Sequence, residues 1–156
     1  MKKHLLIGLF TALSFGTQAQ ENNWTWGGPL DPAQATYDVK HYTLRLAVEP
    51  ENHTIGGSAD ALVELVAPTD QIKLNLIDAY AVSSVKVNGK RASYTRSKDA
   101  LNVQLKKTYH PGQRLTITVA YAGTPPEAVR PPWQGGFTFT KDANGKHWIG
   151  LSSQNE

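Results

Sequence analysis

The sequence predicts an all-β protein, an antiparallel β-sandwich. Apolar residues recur at every second position in short runs, turn signals separate those runs, and no stretch carries the 3.6-residue apolar period of an amphipathic helix. Alternation gives each strand one face to bury, and two sheets laid face to face bury both.

The first element stands outside the domain. Met1-Lys2-Lys3-His4 is a basic start, Leu5 to Phe15 is almost unbroken apolar sequence, and Thr17-Gln18-Ala19 sets small residues at a cleavage point. That order is the pattern of a secretory signal peptide over residues 1–19. Thr11, Ser14 and Gly16 interrupt the run, which falls short of the roughly 18 apolar residues a membrane span needs. A secreted or periplasmic location is expected, with no membrane span after cleavage.

Without Lys2 and Lys3, the 16 basic and 13 acidic residues become 14 and 13. So even a balance gives no reason to expect a nucleic-acid partner, which calls for a clustered basic face. Cysteine is absent, so neither disulfides nor thiol chemistry is available, although export would have permitted the former.

Residues 20–36 open polar and aperiodic as "QENNWTWGGPLDPAQA" and read either as an extended arm on the domain, anchored by Trp24 and Trp26, or as a disordered leader. The domain proper is expected over residues 37–156. Tyr42, Leu44, Leu46 and Val48 alternate with polar or small residues and predict a first strand with one buried face. Pro50 to His53 supply a turn, and the next strand contains Gly56-Gly57, a sign of a bulge or of close backbone approach.

Later strands follow at Ile72, Leu74 and Leu76, and at Val82, Val85 and Val87 before an Asn88-Gly89 hairpin turn. Two more are marked by Leu101, Val103 and Leu105, and by Leu115, Ile117, Val119 and Tyr121. Four prolines make the segment 123–136 a stiff loop, and "FTFT" and "HWIGLSS" flank a turn at 141–145 as a final hairpin.

Catalytic motifs are missing. His41, His53, His110 and His147 have no metal-ligand spacing, and no histidine is followed by Glu, which rules out a His-Glu-x-x-His helix. No Gly-x-Ser-x-Gly elbow and no phosphate-cradling glycine loop occurs. Asp60 and Glu64 share one side of a strand and read as a solvated face. Asn23-Trp24-Thr25 and Asn52-His53-Thr54 match the glycosylation pattern by chance. Trp133, Phe137, Phe139 and Trp148 form an aromatic group that either caps the sandwich or faces a partner.

Two stretches together carry a family resemblance. "YDVKHYTLRLAVEPENHTIGGSADALVEL" resembles the opening of the N-terminal β-domain of the aminopeptidase N family, the gluzincin zinc aminopeptidases related to leukotriene hydrolase. "PPWQGGFTFTKDANGKHWIGLSSQNE" is similar to the segment that follows in the family's secreted bacterial branch.

The resemblance implies a fragment that lacks the catalytic domain. Zinc, its His-Glu-x-x-His ligands and the Gly-x-Met-Glu-Asn motif would lie downstream, and this chain has no methionine beyond Met1. The chain alone is expected to be inactive, with no catalytic or metal residue of its own. The complete enzyme would bind zinc and hydrolyse N-terminal residues from peptides. Gln154, or Glu156 in a shifted register, is implied to accept hydrogen bonds from the α-amino group of the substrate. The residues also allow a free-standing secreted module that binds a carbohydrate or protein partner through its aromatic end, or a non-catalytic regulatory paralogue.

Overall fold

A computed structural model describes residues 30–131 and 135–152. Residues 1–29, with the expected signal peptide and most of the expected arm, lie outside the described residues. Among the described residues ten strands follow a short 3-10 turn at Gln34–Thr36: β1 Tyr37–Glu49, β2 Thr54–Leu65, β3 Thr69–Asn75, β4 Tyr80–Val87, β5 Lys90–Arg91, β6 Tyr94–Ser97, β7 Ala100–Tyr109, β8 Arg114–Gly123, β9 Gly136–Lys141 and β10 His147–Ser152. They form a five-stranded sheet in the order β1-β2-β8-β4-β5, a three-stranded sheet β3-β7-β6 and the hairpin β9-β10, and every strand pairing is antiparallel.

The larger sheets meet face to face. Val63, Leu65, Val85, Leu115 and Ile117 from one sheet and Ile72, Leu101, Val103 and Leu105 from the other make one buried cluster, as a sandwich requires. Two tyrosine hydroxyls fasten the smaller sheet at its margins. Tyr37 donates to the Lys73 carbonyl at 2.5 Å, and Tyr94 donates to the Val82 carbonyl at 3.0 Å.

Local chemistry explains the joints. Val82 and Val85 stand three apart, so strict alternation would send them to opposite faces. A register shift between Val82 and Ser84 absorbs the extra residue, and Val82, Val85 and Val87 pair with Tyr121, Val119 and Ile117 on one face. The Asn88-Gly89 turn has positive φ at both residues, 49° and 76°, which is the two-residue turn that these residue types favour. Gly57 holds φ 141°, and a Cβ there would lie 1.9 Å from the Arg45 carbonyl oxygen. Its pairing with Leu46 is regular, so close backbone approach, and not a bulge, is what this glycine serves.

β1 departs from expectation. Leu44, Leu46 and Val48 pair across to Ala59, Gly57 and Ile55 and so belong to the inner face, yet they are exposed, Leu44 to 59%. The smaller sheet has three strands against five and is fastened near Tyr37, and it leaves the far end of the inner face uncovered among the described residues.

Candidate functional site

The residues implied to bind substrate, Gln154 and Glu156, lie outside the described residues, as does Trp133. The strand that leads to them is described. β10 pairs with β9 from His147↔Lys141 to Ser152↔Gly136, and a turn at Asp142 closes the hairpin. There the Asp142 carboxylate accepts from the Asn144 and Lys146 amides at 2.9 and 2.8 Å, and Gly145 takes φ 77°.

The proline-rich segment fixes the other end of this hairpin. The Phe137 amide donates to the Pro126 carbonyl and the Ala128 amide to the Phe137 carbonyl, both at 2.8 Å. Gly136 has φ 146°, and a Cβ there would stand 2.7 Å from the Ala128 nitrogen, so only glycine lets the two backbones close.

Phe137, Phe139 and Trp148 do not gather as one group. By the β9-β10 register, Phe137 and Phe139 share a face with Leu151 and Ile149, whereas Trp148 lies on the opposite face with Gly150. Phe137 and Phe139 are half-buried and stack at 5.8 Å, and the exposed Trp148 ring lies over Gly150.

What Phe139 meets was hidden from sequence. The His53 ring stacks on Phe139 with centroids 4.6 Å apart, and its Nδ1 lies 3.2 Å from Glu127 Oε1. These three residues come from the β1-β2 turn, the proline-rich segment and β9, so no local spacing could have joined them. Positive φ of 52° at His53 sets the ring's direction. His147 approaches Glu51 at 3.9 Å.

Among the described residues no three His, Asp or Glu side chains come together as a metal site would require. Asp60 and Glu64, read as a solvated face, are ion-paired on it: Arg45 donates to Asp60 and Arg114 to Glu64, each at 2.7 Å. Those hydrogen bonds hold both carboxyls below their ordinary values. They are spent on structure and stand apart from the hairpin. No described helix is long and apolar enough to cross a membrane.

No family model matches the chain, and no curated protein does either. Solved structures do. The chain is similar to an M1 zinc metallopeptidase from Deinococcus radiodurans, solved as a mutant bound to a Tyr-Ser-Ala substrate, with 27% identity and a TM-score of 0.55 over 71% of this chain and 27% of that one. Yeast leukotriene A4 hydrolase in complex with bestatin shares the fold at 15% identity and a TM-score of 0.57, over 80% of this chain and 20% of that one. This chain thus spans about a quarter of the metallopeptidase's length.

Proposed function

We propose, for a chain that carries an aminopeptidase N-like N-terminal domain, that it serves as the scaffold and cleft wall of an exported zinc aminopeptidase that removes N-terminal residues from peptides. The observation that supports this most is the match to the metallopeptidase at 27% identity across 71% of the chain. The stretch around β9 and β10 carries the second motif of the family resemblance.

In this reading Gln154, or Glu156, presents an oxygen to the substrate's free α-ammonium group, which needs hydrogen-bond acceptors at a fixed point. β10, held by β9 and through it by the Pro126 and Ala128 backbone, is the strand that precedes these residues in the chain. Bound zinc would polarise the scissile carbonyl. In this reading the described residues take no step of hydrolysis, and a separate catalytic domain supplies the general base and the zinc ligands.

Aminopeptidase assays on a panel of amino-acid anilides test the reading. Residues 20–156 alone should be silent, and the same chain joined to what its reading frame encodes next should be active with zinc. Metal-dependent activity in the short chain would sink the scaffold role. Silence in both would favour a binding module, and Gln154→Ala should raise KM in the active form more than it lowers kcat.

A further inference from the structure

Charge is nearly balanced over the chain as a whole and unbalanced in its middle. Between Asp78 and Asp99 lie Lys86, Lys90, Arg91, Arg96 and Lys98 with no acid among them, and between Asp99 and Glu127 lie Lys106, Lys107 and Arg114, again with none. Arg96 and Arg114 find carboxylates in Asp78 and Glu64. Lys86, Lys90, Arg91, Lys106 and Lys107 make no ion pair among the described residues.

The fold concentrates this excess at one seam. The Asn88-Gly89 turn sets Lys86 directly across from Arg91, a like-charge pair that costs stability unless an anion offsets it. The chain then crosses from the five-stranded sheet to the smaller one: the Ala92 amide donates to the Val85 carbonyl, and the Gln104 amide on β7 donates to the Ser93 carbonyl. That crossing brings β5 to β7, where Lys90, Arg91 and Lys106 line a hollow of about 150 Å³ beside Asn88 and Tyr109, and no described carboxylate lines it. The Lys107 ammonium stands next to it, 5.2 Å from the centre of the Tyr109 ring. Asn88 spends its side-chain oxygen on the Thr116 amide, which leaves its side-chain N–H groups to donate.

Size and donors select the occupant. Pockets for organic ligands begin near roughly 300 Å³, so this hollow suits a small ion. Three cations and an amide donor call for an anion with several acceptor oxygens, and a guanidinium meets two oxygens of a phosphate side by side. We propose that the seam between β5 and β7 is a phosphate-binding site in which Arg91 takes two oxygens and Lys90 and Lys106 supply the neutralising charge. The phosphate is a free ion or the headgroup of an anionic lipid, which present the same chemistry to the site. The inference is independent of the aminopeptidase reading.

The test titrates the full chain with inorganic phosphate at fixed ionic strength, followed by calorimetry, and with phosphatidylglycerol vesicles, followed by co-sedimentation. Saturable binding is expected, weakened about ten-fold by each of Lys90→Gln, Arg91→Gln and Lys106→Gln. All three side chains are exposed, so these variants keep the fold. Lys141→Gln removes the same charge from β9 and should leave binding unchanged. Vesicle binding that the three variants weaken would assign the phosphate to a lipid headgroup, and binding of inorganic phosphate alone would assign it to a free ion. Binding of neither would overturn the proposal. So would a loss that Lys141→Gln matches, or equal displacement by chloride, since both mark net charge without a site.

Discussion

At the end of the five-stranded sheet near Tyr37, Val63, Leu115 and Ile117 lie buried under the smaller sheet; near Glu49, Leu44, Leu46 and Val48 alternate just as regularly and stay exposed. Both regions obey the same period of two, and both point their apolar side chains to the same face. Alternation therefore fixes which way a side chain points, and the extent of the opposing sheet decides whether water leaves it.

The sharpest way to break this contrast is a pair of truncations. Ile117→Ala should cost about 2–5 kcal/mol in urea unfolding, since it opens a cavity in a packed core. Leu44→Ala should change stability by no more than about 0.5 kcal/mol. A Leu44 cost in the Ile117 range would mean that the open end is covered in solution.

Gly57→Ala comes next. The backbone at φ 141° suits no other residue, and the added Cβ would strike the Arg45 carbonyl. A loss of about 1–3 kcal/mol is expected, with faster amide exchange along β1. Cost without such exchange would place the strain outside the β1-β2 ladder.

Tyr37→Phe measures the fastening of the smaller sheet. Loss of its hydrogen bond to Lys73 should cost about 1 kcal/mol. Burial pushes the Tyr37 hydroxyl up from 10.0 to about 12. Because the folded value is raised, this contribution is complete below pH 10.0 and is lost as pH climbs through about 12. Tyr80 and Tyr121, also raised by burial, share that alkaline loss, so the variant should keep part of it.

The smallest effect belongs to the outer face. Asp60 and Glu64 are held below their ordinary 3.8 and 4.5 by Arg45 and Arg114, so the two pairs stabilise above those values and fail as pH falls through the lowered ones. Arg45→Ala and Arg114→Ala should lower stability slightly at pH 7, converge with the parent in strong acid, and differ less in high salt.

Much of this architecture was legible in the sequence. Asn88-Gly89 announced its turn by residue type, and the three valines of β4 announced their face even though a bulge was needed to deliver it. The aminopeptidase N-like fold was legible in two motifs, and the solved relatives bear it out. What stayed hidden depends on tertiary distance. His53 meets Glu127 across 74 residues and Phe139 from still farther along the chain, and the split of Trp148 from the two phenylalanines follows from a hairpin register that composition does not encode. The implied roles of Gln154 and Glu156 rest on the resemblance alone, beyond the last described residue, Ser152.

β1 is the outermost strand of its sheet, thirteen residues long. Among the described residues no strand pairs with its outer side, whose amides and carbonyls offer a template onto which another chain could crystallise as an added strand and seed a fibre. Lys40, at the register shift between Val39 and His41, and Arg45 at mid-strand break that row with charge and a kink, as gatekeepers do. Handling of the isolated domain should therefore turn on these two cations, and replacing both with threonine should shorten its shelf life before it alters its fold.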